Sequence, residues 1–110
     1  SDDDILNDSD QELIYFEKAW KILDFNEFQA VSRDEFIVAL QSMNIILNKN
    51  ELSILFNDIG SNEEYIDKIE FINALTINVH KLYHPQLKQC ILNYFKLKDS
   101  VLSYFNENDG

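Results

Sequence analysis

The chain has 110 residues, enough to bury one hydrophobic core, and 45% of them are hydrophobic. Two Gly and one Pro leave little room for hairpins or a loop-rich fold, so the composition points to an all-α protein. A formal net charge of −11 argues against nucleic acid and against an anionic membrane surface, and favours basic partners or divalent cations.

No apolar run approaches the roughly 18 residues of a membrane span, so direct membrane insertion is not expected. The single Cys90 forbids an internal disulfide framework and suits a reducing, cytoplasmic setting. The chain opens on Ser-Asp-Asp-Asp and stops at Asn-Glu-Asn-Asp-Gly, which leads us to expect a piece of a longer protein.

Residues 1–8 are acidic with few apolar anchors and read as a disordered lead-in. Ser9 with Glu12 three residues on is a capping-box pattern, so a first helix is expected from about Asp10, with Leu13, Phe16, Ala19, Trp20 and Leu23 on its apolar stripe. Asp24 to Arg33 breaks that periodicity. Ser32 and Glu35 repeat the capping-box spacing and open a second helix carrying Phe36, Ile37, Ala39, Leu40 and Met43.

Asn48 with Glu51 caps a third helix whose face is Leu52, Leu55, Phe56 and Ile59. Asp67 with Glu70 starts a fourth, with Ile69, Phe71, Ile72, Leu75 and Val79 apolar, and the acidic first turn suits the positive end of its dipole. His84-Pro85 marks a break. A fifth helix follows from Pro85 to about Lys98. The apolar cluster Val101, Leu102, Tyr104 and Phe105 then forms a further short helix or continues the same one after a kink.

The same arrangement therefore occurs twice: an amphipathic helix, a short acidic loop, a β-branched residue, a Glu four positions later, and a second amphipathic helix. Val31 and Glu35 hold those places in the first copy, Ile66 and Glu70 in the second. Residues 19–75 thus resemble the EF-hand superfamily, in particular a calmodulin-like or myosin-light-chain-like lobe. The linker Met43-Asn-Ile-Ile-Leu-Asn-Lys-Asn-Glu-Leu52 resembles the family's Leu-Gly-x-x-Leu-Thr-x-x-Glu-Leu connection, with Asn in place of both Gly and Thr. The resemblance implies a paired lobe over residues 9–80, with loops at 24–35 and 60–70 and one short antiparallel bridge between Val31 and Ile66. A C-terminal helical segment over 84–106 follows it.

The family's loop takes calcium through oxygens at its positions 1, 3, 5, 7 and 9 and a bidentate Glu at 12, with Gly at 6 for a sharp turn. The first loop offers Asp24, Asn26, Ser32 and Glu35, but Phe28 stands at position 5 and Gln29 at the Gly position. The second is one residue short, begins with Gly60, and offers Asn62, Glu64, Asp67 and Glu70. Calcium at low affinity is the one cofactor this set could hold, and the expectation is a loop that persists as a connector. His80, His84 and Cys90 lie close in sequence but lack a fourth zinc ligand and any motif for a nucleophilic triad, so neither zinc nor catalysis is expected of them.

Phe16, Trp20, Phe36, Met43, Leu55, Phe56, Phe71 and Leu75 fall where the family places its core or its partner groove. The implied function is a calcium-insensitive interaction or regulatory module that docks a basic amphipathic helix, from another protein or from its own full-length chain. The alternatives are a calcium sensor through loop 24–35, or the regulatory domain of an enzyme such as a kinase or phospholipase. The apolar segment 85–105 either folds back onto the lobe, begins a third unit, or pairs with another copy or a partner.

Overall fold

Asn7 sits in extended backbone and accepts the Asp10 N–H on its side chain (2.9 Å), which starts helix α1 at Asp8. The computed structural model describes residues 7–108, so the expected lead-in falls largely outside the described residues. The Ser9/Glu12 box does not form. Asn7 caps earlier, and Ser9 lies inside the first turn beside Asp8 and Asp10.

α1 (Asp8–Leu23) leads through a loop to the strand β1 (Val31–Ser32) and helix α2 (Arg33–Ser42). α3 (Lys49–Ile59), β2 (Tyr65–Ile66) and α4 (Lys68–Leu75) repeat that order. The molecule is mostly helical, and its two short strands pair antiparallel with Val31 opposite Ile66. Both of those side chains are buried, so the strand pair ties the two loops together beneath the core.

Capping boxes start α2, α3 and α4, formed by Ser32 with Glu35, Asn48 with Glu51 and Asp67 with Glu70. Between α2 and α3 the chain reverses at Asn44, which adopts φ 62° and donates its N–H to Gln41 O (3.1 Å). Asn accepts that left-handed conformation more readily than most residues, so it serves where Gly is absent.

Two expected faces shift. Tyr15 replaces Leu13 on the buried stripe of α1, and Leu13 is exposed. α4 stops at Leu75, so Val79 lies outside it, and Ile69 is exposed. The stop has a local cause: Asn73 O accepts the N–H groups of both Thr76 (3.3 Å) and Asn78 (2.8 Å), which winds the chain out of the α-ladder.

The last helix, α5 (His84–Asn108), is one unbroken element rather than two. Pro85 sits at its first turn, where no intrahelical N–H is needed. Leu87, Ile91, Leu92 and Phe95 are buried with the side chains of α1 to α4 in a single core. The first half of α5 therefore packs back onto the rest of the molecule.

Candidate functional site

The loop between α1 and β1 is built on Asp24. Its backbone N–H caps α1 on Trp20 O (2.8 Å), and its side chain is 6% exposed. Oδ2 accepts the Gln29 N–H across the loop (3.2 Å). That bond holds Gln29 at φ 65° and, with the Glu27 N–H on Asp24 O (2.9 Å), turns Glu27 to φ 60°. The sharp turn that glycine would make is thus present, carried by Gln29 at some conformational cost.

The loop closes on Glu35. Its Oε1 accepts the Ser32 N–H (2.8 Å) and its Oε2 accepts from Asn26 Nδ2 (3.2 Å), while Ser32 Oγ accepts the Glu35 N–H (3.3 Å). Asp24, Asn26, Ser32 and Glu35 are therefore brought together. Two oxygens of this group, Asp24 Oδ1 and Asn26 Oδ1, are buried and have no hydrogen-bond donor. Phe28 points outward, 76% exposed, and contributes nothing to the interior of the loop. A cavity of about 340 Å³ flanks Asp24 and is lined by Trp20, Gln29 and the two ammonium-bearing side chains Lys21 and Lys68. Lys68 is also ion-paired with Glu17 on α1.

The second loop closes in the same manner and at the same spacing. Glu70 Oε2 accepts the Ser61 N–H (2.6 Å) and Oε1 the Asp67 N–H (3.0 Å), and Asp67 Oδ1 accepts the Glu70 N–H (2.8 Å). Burial pushes the Glu70 carboxyl up, but the bonds from Asp67 N–H and from the Ser61 hydroxyl and N–H outweigh it and hold the group below the ordinary carboxylate value. Asn62 Oδ1 accepts from Glu64 N–H (2.8 Å) and Tyr65 N–H (3.0 Å), forming the turn into β2. Asn62 and Glu64 are exposed, and the side chains of Asn62, Asp67 and Glu70 are used in local closure of the loop.

Gly60 ends α3 with φ −85°, a conformation open to any residue. Its constraint is space: a Cβ would lie 3.0 Å from both Asn62 O and Ile66 Cγ2.

Phe16, Trp20, Phe36, Met43, Leu55, Phe56, Phe71 and Leu75 are all buried. Trp20 meets Phe71 (centroids 5.7 Å) and Phe36 meets Phe56 (5.6 Å), so these residues belong to the core that α5 closes, with Trp20 and Met43 also reaching the walls of surface cavities. His80 is exposed, His84 Nδ1 lies 2.8 Å from Asn78 O, and Cys90 Sγ lies 3.5 Å from Met43 O. His84 and Cys90 are engaged separately, and His80 faces solvent. Burial raises the Cys90 thiol to about 11, which keeps it protonated and poorly nucleophilic.

Arg33 is the tie that sequence reasoning missed. Its guanidinium donates to Ser53 Oγ (2.7 Å), Ser53 O (3.2 Å), Asn57 Oδ1 (2.8 Å) and Glu63 O (3.1 Å), and it lies 5.0 Å over the Phe56 ring. One side chain thereby binds the start of α2 to α3 and to the second loop. Its only sequence signal is a lone Arg beside a capping Ser, which does not distinguish it from a solvated charge. Comparison with protein-family models, with curated proteins and with solved structures gives no match.

Proposed function

We propose that the chain is a degenerate EF-hand pair serving as a calcium-independent interaction or regulatory module, with the helix-binding face of its lobe filled by its own α5. The burial of Leu87, Ile91, Leu92 and Phe95 against α1 to α4 carries this reading. An apolar helix seated on a four-helix lobe is the arrangement in which such a lobe binds a target. Here the target is supplied by the same chain. The loops support the first half of the proposal. Glu35 and Glu70 close them by hydrogen bonds to Asn26 and Ser61, which supports loops that keep their shape without a cation.

A partner of this module is a Lys/Arg-rich amphipathic helix that competes with α5 or docks beside it, drawn by the acidic surface. The experiment is a fluorescence titration of Trp20, which is buried against Phe71 and lines the cavity beside Asp24. Micromolar calcium should leave its emission unchanged, and a cationic amphipathic peptide should shift it. A calcium response with no peptide response would remove the reading.

The calcium-sensor reading is favoured by one observation: Asp24 Oδ1 and Asn26 Oδ1 are buried without donors, beside a loop that keeps its left-handed turn at Gln29. Those two oxygens with Glu35 Oε2 would form an incomplete oxygen set for a hard cation. The same titration separates the two readings.

A further inference from the structure

Tyr15 marks the point at which α5 leaves the body of the molecule. Its ring stacks on Phe95 (centroids 5.7 Å, interplanar angle 11°) and its hydroxyl donates to Asp99 Oδ2 (2.5 Å). From Leu97 the helix runs on to Asn108, and its apolar side chains turn to solvent: Leu97 is 67% exposed, Val101 46% and Leu102 60%. Tyr94, Leu97, Val101 and Phe105 follow one another at three- and four-residue steps, the spacing of a seam between paired helices. This face borders two adjoining cavities of about 200 and 460 Å³, both lined by Asn44, Tyr94 and Leu97, with the exposed Ile46 of the α2–α3 linker on the rim of the smaller. Helix and linker together form an apolar trough.

We infer that this trough is a self-association surface, and that its occupant is the C-terminal half of α5 from a second copy of this chain, running antiparallel. Charge selects that occupant. Residues 1–83 hold 17 Asp or Glu against 6 Lys or Arg, a balance of −11, whereas residues 84–110 hold three of each. The entire net charge therefore lies in the sequence before α5. A basic partner is drawn to the lobe, an acidic one is repelled by it, and the neutral helix is the place where two copies approach without like-charge cost.

The order of charges along α5 is self-complementary. Lys96 and Lys98 precede the seam's midpoint at Val101, with Asp99 turned to Tyr15, and Glu107 follows it. Antiparallel pairing about Val101 brings the lysine-bearing end of one copy's seam alongside the Glu107 end of the other, and does so twice. It also puts the two acidic lobes at opposite ends, where parallel pairing would set them side by side. The interface is isologous and closes at two copies. About three to four helical turns a side make a small contact, so association is weak and concentration-dependent.

Sedimentation of the full 110-residue chain over a range of concentrations tests this. The expected result is a shift from monomer to dimer mass as concentration rises, weakened roughly tenfold or more by Leu97→Glu or by Val101→Glu. Both sites are exposed, so helicity and melting temperature should hold; if either variant unfolds, Lys96→Glu/Lys98→Glu is the substitute, and adding Glu107→Lys should restore the dimer. Orientation is read by mild oxidation in a Cys90→Ser background, where Val101→Cys should cross-link far faster than Ser103→Cys. A monomer at millimolar concentration overturns the inference. So does a dimer untouched by Leu97→Glu, or equal cross-linking at 101 and 103.

Discussion

Asn26 and Glu35 hold one another across nine residues of the first loop, and Ser61 and Glu70 do the same in the second. In each unit the carboxylate that opens the second helix also fastens the start of the loop. Replacing Glu35 by Ala removes the acceptor for both Ser32 N–H and Asn26 Nδ2. The expected loss is about 1–3 kcal/mol, the cost of stranding partly buried donors, measured by urea denaturation. Under the proposed reading the unaltered protein melts at the same temperature in calcium and in chelator. A calcium-dependent rise would transfer Glu35 from loop closure to metal binding.

Glu70 gives the fold an acid limit. Its carboxyl is held below the ordinary value, so its stabilising contribution is complete above the unfolded carboxyl's pKa and is lost as pH falls through the lowered folded one. Stability measured by denaturant at successive pH values should therefore decline on the acid side of about pH 4. Glu70→Gln should lower stability at neutral pH and flatten that decline. An unchanged acid profile in Glu70→Gln would show that other carboxylates set it.

Much of this was legible in the sequence because it is local. The boxes at Ser32, Asn48 and Asp67 declare themselves by a Glu three residues on, and a cap depends on little beyond its own turn. At the start of α1 two caps compete, and Asn7 prevails over Ser9 although only Ser9 carries the box spacing. The end of α4 depends on one carbonyl, Asn73 O, choosing two later N–H groups, which no periodicity records. In the candidate site, spacing placed Asp24, Asn26, Ser32 and Glu35 in one loop but gave no sign that Asn26 and Glu35 would bond each other. Arg33 and the Tyr15–Asp99 pair were illegible because their partners lie 20 to 84 residues away.

Gly60 should not tolerate a methyl group. Its φ of −85° carries no penalty for a side chain, so any cost comes from contact with Asn62 O and Ile66 Cγ2 at 3.0 Å. The carbonyl belongs to the backbone of a tight turn and Ile66 is fully buried opposite Val31, so neither yields easily. Gly60→Ala should lose about 1–3 kcal/mol by overpacking, seen as a lower urea midpoint at unchanged slope.

Cys90 should react slowly. Desolvation lifts its thiol from 9.0 to about 11, so at pH 8 the thiolate fraction falls by about two orders of magnitude relative to an unperturbed cysteine. Alkylation by iodoacetamide should be slow in the native protein and rise to the rate of a free thiol in urea. Fast labelling of the native state would mean that α5 opens away from Met43 O on the timescale of the reaction.

The docking of α5 has an alkaline limit set at Tyr15. The bond to Asp99, followed by burial, raises the phenol above its ordinary value, outweighing the opposing contact with Gln11. A raised folded pKa means the contribution is complete below the unfolded phenol's value near 10 and is lost as pH climbs through the folded one. Tyr15→Phe keeps the ring against Phe95 and removes only the hydroxyl, so the expected loss at neutral pH is about 1 kcal/mol, that of one net hydrogen bond. Amide exchange should read it: protection should fall along Phe95–Asp99 while α2 and α3 are unaffected. Asp99→Asn retains an acceptor but sheds the charge that raises the phenol, so it should shift the absorbance titration of Tyr15 downward. If neither variant alters exchange in α5, the helix is held by Leu87 and Ile91 alone, and the Tyr15–Asp99 bond does not set where α5 leaves the core.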